Sequence, residues 1–271
     1  MKKLIVNADD FGFTPAVTAG ILEAHAAGTV SATSVMVHCP GWDDAVRRAR
    51  ETPTLDYGLH LNLLVGAPIA KAPSLTGADG NFLPLDVIVR RALIGRLNAR
   101  EISAECEAQL AALASAGIRC THMDSHRHTH ALPVIRGAVA AIASARKLPL
   151  RRPIESHFRA GDFASQLHRG VIAASWRVTS VTAARTLAPD HFVGVSMQGS
   201  RGFAEQFIAT VGRLADGTTE MMVHPGHVDE TLVAIDAYTH EREHELAALT
   251  SPQLRDCLRR DDLTLIGFRH I

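Results

Sequence analysis

Net charge is the first thing this chain lacks. Lys plus Arg and Asp plus Glu stand at 28 each, so the formal charge is zero with His neutral. That balance gives no support for a nucleic-acid or other polyanionic partner. Aromatic residues make up only 5%, which leaves few stacking platforms for a long flat ligand. Cysteine is scarce and scattered: Cys39, Cys106, Cys120 and Cys257 contain no CxxC pair. They read as small buried hydrophobes in a reducing compartment, not as a disulfide framework or a thiolate zinc site. No apolar run approaches the roughly 18 residues of a membrane span. The few apolar residues between Met1-Lys2-Lys3 and Asp9-Asp10 are too short a run for a signal peptide, so a cytoplasmic protein is expected. GxGxxG and GxxxxGK[ST] are also missing, which weakens dinucleotide and P-loop readings.

Histidine is in excess, with 15 residues. The densest stretch is Thr121-His122-Met123-Asp124-Ser125-His126-Arg127-His128-Thr129-His130. If its first half is extended, His122, Asp124 and His126 point to one side of a strand. Clustered ionisable groups need partners, and one cation can satisfy several of them at once. An exposed His-rich loop or a structural hydrogen-bond network would leave the same trace.

The rest of the chain alternates strands and helices. Leu4-Ile5-Val6 reads as a buried strand whose carboxyl end carries Asp9 and Asp10. Thr14 is a good N-cap, Pro15 suits the first helical position, and Gly28 supplies a stop. Residues 33–37 predict a strand and 42–50 a helix. Residues 55–63 predict the next strand, with Gly58, His60 and Asn62 on one face, so that Gly58 opens space beside His60 and Asn62 orients it. Residues 64–84, rich in Gly and Pro, form a long loop of the kind that covers a site. Helices are expected at 86–97 and 102–117, then from Pro133 to about 147, at 163–174, 178–187, 203–214 (closed by Gly217) and 237–249, with a short one after Ser251-Pro252. Short strands are expected at 152–155, within 190–197, at 219–224 and at 263–268. Some seven strand–helix units in a single domain, 1–271, point to a parallel α/β architecture. Asp9-Asp10, His60, Asp124/His126 and His224 each fall at the carboxyl end of a different strand, which favours a distorted, TIM-like (β/α) barrel over an open doubly wound sheet.

Asn7-Ala8-Asp9-Asp10-Phe11-Gly12, Gly58-Leu59-His60-Leu61, Thr121 to His128 and His224-Pro225-Gly226, in this order, resemble the YdjC-like (ChbG-like) carbohydrate deacetylases. The match extends to Arg242, Glu243 and the Leu-Thr-Ser-Pro stretch at 249–252 and covers essentially the whole chain. The resemblance implies a distorted barrel that removes N-acetyl groups from N-acetylglucosamine-containing sugars with one divalent ion, magnesium or zinc. It implies Asp10, His60 and His126 as metal ligands, Asp9 as base and His224 as acid. His128 as a substitute ligand and Asp124 as the orienter of a ligand histidine stay open, as do supporting roles for Asn62 and Arg242. The wording Asp-Ser-His-Arg-His is closer to the branch acting on chitooligosaccharides than to the one associated with hopanoid glycolipids.

The chemistry agrees with those roles. Amide hydrolysis needs an activated water, a stabilised oxyanion and a proton for the departing amine. A divalent cation on one carboxylate and two imidazoles serves the first two needs, and a His near its ordinary pKa of about 6.5 serves the third. Phe11, Phe13, Trp42, Phe82 and Phe158 are the candidate sugar-stacking rings. The substrate partner is then an amino sugar or short oligosaccharide, and homodimerisation stays open. Two rival readings are a two-metal phosphate-ester hydrolase drawing on His122, His128, His130, His227 and Asp229, and a metal-stabilised sugar-binding protein without activity.

Overall fold

Strand β1 (Lys2–Phe11) is the axis on which the computed structural model is built. The structure describes residues 1–155, 174–177 and 186–271. Along β1 the side chains alternate as a strand demands. Leu4, Val6 and Ala8 join the main core under the helices, whereas Ile5, Asn7 and Asp9 face the other way. The same alternation places Ser34, His60, His122, Asp124 and Glu220 in the polar interior. The outer, apolar face holds the fold together, since each fully buried Leu, Ile or Phe contributes about 1.5–3 kcal/mol.

The chain then runs through α1 (Pro15–Ala26), β2 (Ala32–Val35), α2 (Trp42–Glu51), β3 (Asp56–Leu61), α3 (Leu85–Leu93), α4 (Ala99–Ser115) and β4 (Cys120–Ser125). A 3₁₀ segment (His126–Ala131) leads into α5 (Ile135–Arg146). After β5 (His191–Val193) come α6 (Phe203–Gly212), β6 (Gly217–Val223), α7 (Glu230–Ile235), α8 (His240–Leu249), α9 (Pro252–Leu258) and β7 (Leu263–Leu265). The sheet order is β4-β3-β2-β1-β6-β5, all parallel, with β7 on β1. One edge of β1 is shared: its first residues pair with β7 and its last with β2. Across the two outer strands runs the segment 150–155, where Leu150 bridges to Met123 of β4 and Glu155 to Phe192 of β5. The sheet is therefore a curled, distorted barrel whose seam is held by single bridges. Among the described residues no helix is long and apolar enough to cross a membrane.

Local signals were accurate where capping chemistry is specific. Thr14 Oγ1 accepts from Val17 N at 3.2 Å with Pro15 behind it, and Ser251 caps α9 in the same way. Gly217 does not close a helix: α6 stops at Gly212, and Gly217 (φ +103) opens β6, where a Cβ would meet the Asp190 carboxylate. The short helix α7 carried no periodic signal in the sequence, and its Asp229 cap fixes it instead. The final strand ends at Leu265, and Phe268 turns inward in a 3₁₀ turn, stacked on His122 at 3.7 Å between centroids. The helices expected at 163–174 and 178–187 lie, apart from their last residues, outside the described residues.

Candidate metal centre and active site

Adjacent aspartates on a regular strand would face opposite ways. Here the pairing register slips between Ala8 and Phe11, and Asp10 takes a left-handed φ of 73°. That kink turns both carboxylates to the carboxyl end of the sheet. A non-glycine residue held there is strained, and such strain gathers at functional sites.

Asp10 Oδ1 lies 3.2 Å from His60 Nε2 and 3.0 Å from His126 Nδ1. One atom from each of these three buried residues lies within 4.8 Å of the other two. Burial pushes the Asp10 carboxyl up, yet Arg242 and His126 beside it hold it well below the usual carboxylate range. Arg242 donates to Asp10 Oδ2 at 2.7 Å and to Asp236 Oδ2 at 3.0 Å. His60 is oriented from behind, with Nδ1 2.7 Å from Asp124 Oδ1 and 3.0 Å from Ser34 Oγ. Burial disfavours its charged form, but Asp124 and Asp9 push it up to about 10. A ring so placed presents Nε2 forward with its other nitrogen on a carboxylate, the arrangement common to metal-ligating histidines.

Asp9 has a different surrounding. Arg151 grips it with Nη1 on Oδ2 at 2.6 Å and Nη2 on Oδ1 at 2.7 Å, and Asn7 Nδ2 adds a bond to Oδ1 at 2.9 Å. Burial raises the carboxyl; Arg151 overrides it and holds the group far down. His224 Nε2 stands 3.9 Å from Asp9 Oδ2. Burial draws His224 down to about 4, and its Nδ1 has no hydrogen-bond partner among the described residues. Its backbone is held by Glu245, which also accepts from the Tyr238 hydroxyl, and the Tyr238 ring stands edge-on to the imidazole. Gly226 fixes the turn after it. It packs so closely on α1 that a Cβ at Gly20 would lie 2.6 Å from Gly226 Cα.

These groups face a cavity of about 230 Å³, walled also by Arg127, His128, Gln198, Met222, Asp236, Ala237 and Tyr238. A larger cleft of about 410 Å³ lies at the amino ends of β3 and β4, away from the clustered groups. The buried carboxylates around the mouth, Asp9, Asp10, Asp124, Glu220 and Asp236, outnumber the buried guanidiniums Arg151 and Arg242 that pair with them. One carboxylate and two imidazoles whose ligand atoms lie within 4.8 Å of one another are ordinary donors for a divalent ion, which would add to the compensation that the guanidiniums and His60 give these acids. The donor set fits the group.

The structure brings together Asp9, Asp10, His60, Asp124, His126, His128, His224 and Arg242. Asn62 does not orient His60: its amide ties the turn at Val65 and touches Cys39, and the orienting groups are Asp124 and Ser34. Gly58 makes room for His122, not His60, since a Cβ there would sit 2.4 Å from His122 Nε2. Phe11, Phe13 and Phe82 are core residues, Trp42 is half-buried against His38, and Phe158 lies outside the described residues. Arg151, Glu220, Asp236 and Tyr238 also belong to the site, and no motif in the sequence marks them. The one usable signal was an acid, Glu220, inside an otherwise buried strand.

Fold and site define a class: a distorted α/β barrel with a carboxylate–histidine centre at the carboxyl ends of its strands. The family described as YdjC-like protein matches residues 3–260. A carbohydrate deacetylase of Brevibacillus brevis is 34% identical over 273 residues, covering 99% of each chain. One from Geobacillus stearothermophilus is 34% identical over 268 residues, with 98% of this chain and 96% of the relative covered. A crystal structure from Enterococcus faecalis, of a candidate cellobiose-phosphate cleavage protein, aligns with a TM-score of 0.81 and 28% identity over 99% of this chain and 98% of that one. The chain belongs to the YdjC-like family.

Proposed function

We propose that this protein hydrolyses the N-acetyl group of N-acetylglucosamine-containing sugars and releases acetate, with one divalent ion on Asp10, His60 and His126. The observation that carries the reading is the convergence of those three buried side chains beside a fourth group, Asp9, that the ligand set leaves over. Membership of a family whose relatives are named carbohydrate deacetylases supports it.

When bound, the ion supplies Lewis-acid polarisation of the acetyl carbonyl and acidifies the attacking water. Asp9 Oδ2 takes the proton of that water. Arg151 holds Asp9 in its ionised form, the one that accepts a proton, and fixes the direction of its oxygens. His224, neutral at rest because burial draws it down to about 4, stands 3.9 Å away to carry the proton to the departing amine. Tyr238, Asp236 and Arg127 at the rim provide a ring face and polar groups for sugar hydroxyls. His128 shares that wall and serves substrate instead of the ion. The loop 64–84, tied to α4 through Glu105 and Glu101, tunes chain-length preference from outside the cavity.

One carboxylate with two imidazoles favours zinc or another transition ion over magnesium. A cytoplasmic site of action suits the four unpaired cysteines. The test is acetate release from N-acetylglucosamine, its short β-linked oligomers and a glycolipid. Metal-stripped protein is compared with protein reloaded with zinc, magnesium, manganese or cobalt. Metal-dependent acetate release is expected from the oligomers; none from any substrate with any metal would overturn the reading.

A further inference from the structure

Arg151 is 1% exposed, and its guanidinium is spent on carboxylates. Nη1 and Nη2 hold Asp9 at 2.6 and 2.7 Å, Nη2 also reaches Asp124 Oδ2 at 2.7 Å, and Nε donates to Glu220 Oε1 at 2.6 Å. Its backbone is fixed as well: Arg151 N donates to Met123 O at 2.9 Å, and its carbonyl lies 3.1 Å from His130 Nε2. The side chain is thus anchored to the seam of the barrel and aimed at the site.

Asp9, His60 and Asp124 form a second cluster with one atom from each within 4.8 Å of the other two. By donor type it resembles a cation site as much as the first cluster does. Two of its three members are already on the guanidinium. We infer that Arg151 is a built-in cation in the place a second metal ion would take, which keeps the centre mononuclear. It acts as a positioning residue, holding Asp9 toward the reacting water and, through Asp124, the His60 ring toward the ion.

The planar fork explains why this residue is an arginine. A guanidinium presents several donors in fixed directions, grips one carboxylate with two of them and keeps others for neighbours. A lysine carries the same charge on one flexible point. A free ion would exchange and would compete for Asp10; a covalently held one cannot leave. The clamp also prevents Asp9 from swinging onto the ion beside Asp10. The two adjacent aspartates therefore keep separate tasks, and Asp9, His60 and Asp124 are left with no room for a second ion.

The kinetic part of the test rests on the deacetylase reading, whereas the metal count does not. Wild type, Arg151→Lys and Arg151→Ala are stripped, reloaded with excess zinc, desalted and assayed for ions per chain, with circular dichroism as a folding check. Wild type and Arg151→Lys should hold one ion, and Arg151→Ala should take up a second that guanidinium chloride at non-denaturing concentration displaces. On sugar substrate, Arg151→Lys should lose at least about tenfold in kcat with KM within about threefold. Guanidinium should restore part of the activity of Arg151→Ala. A folded Arg151→Ala that stays at one ion and is not rescued overturns the inference. So does Arg151→Lys with wild-type kcat, which decides the matter if Arg151→Ala does not fold. If wild type releases no acetate, the deacetylase reading fails, and the ion count of Arg151→Ala still decides the place of Arg151.

Discussion

Asp9 and Asp10 are neighbours in sequence, are equally buried and have the same side chain, yet they sit in two different chemical regions. On the Asp10 side, Oδ1 is shared by two imidazoles and only Oδ2 meets a guanidinium. On the Asp9 side, both oxygens are covered by Arg151, and a third carboxylate, Glu220, backs the same guanidinium. The first region is open to a ligand at one oxygen; the second is already neutralised from within. What separates them is a single backbone kink at Asp10 together with a guanidinium supplied from the seam. Residue type thus says less about role than the counter-charge each carboxylate meets.

Substitutions can break that comparison at either half. The largest effect is expected from Asp10→Ala, which should lose its ion and bring acetate release to background, measured by elemental analysis and activity on the same preparation. Ion content equal to wild type after identical chelation would remove Asp10 from the ligand set. Asp9→Asn should keep the ion and roughly the KM while kcat falls by about 10²–10⁴, the usual worth of general acid–base assistance. Asn caps a turn about as well as Asp, so a purely structural Asp9 would tolerate it; kcat within about threefold of wild type would exclude the base role. His224→Ala should cost less, about 10²-fold in kcat, with a loss that shrinks as the leaving group improves. A loss independent of the leaving group would place His224 outside proton delivery.

The smallest effect sharpens the electrostatic side. Burial holds His130 down to about 3, and its ring is occupied by Ser125 Oγ and the Arg151 carbonyl. Its folded pKa lies below the unfolded value of about 6.5, so the unfolded chain binds more protons between those limits. The stability that His130 contributes should therefore be fully present above about pH 6.5 and be lost as pH falls from there toward 3. Thermal melts across that range should show a falling midpoint, and His130→Gln should flatten the slope. An identical slope in the variant would assign the acid sensitivity to other groups.

Half of this site was legible in the sequence because it is written in short local patterns. Asp9-Asp10 closes an apolar strand, His60 alternates with leucines, and the His/Asp run announces itself. The Thr14-Pro15 cap and the amphipathic α4 were equally local. The other half was not legible because its meaning lies in long-range partners. Arg151 follows the plain apolar run Leu148-Pro149-Leu150, and nothing near it says that it will meet Asp9, Asp124 and Glu220. Simple alternation puts His126 on the strand with Asp124. The chain instead leaves the strand at Ser125, and His126 reaches Asp10 from a 3₁₀ turn. Gly58 and Asn62 meet partners other than His60 for the same reason: alternation names a face but not which neighbour fills it.

The strand that carries both aspartates is paired along one edge by β2, which follows soon after it, and otherwise by β6 and β7, from the far end of the chain. Closing such distant contacts costs loop entropy before they return any stabilisation. The two acids therefore precede most of the strands that frame them and are among the last residues to be framed. Until β6 arrives, neither Glu220 nor His224 is in place, and a partly folded chain carries its aspartates without the neighbours that make their surroundings differ. Refolding followed by ion uptake should then lag behind refolding followed by helix content, with the competent centre as a late reporter of a finished barrel.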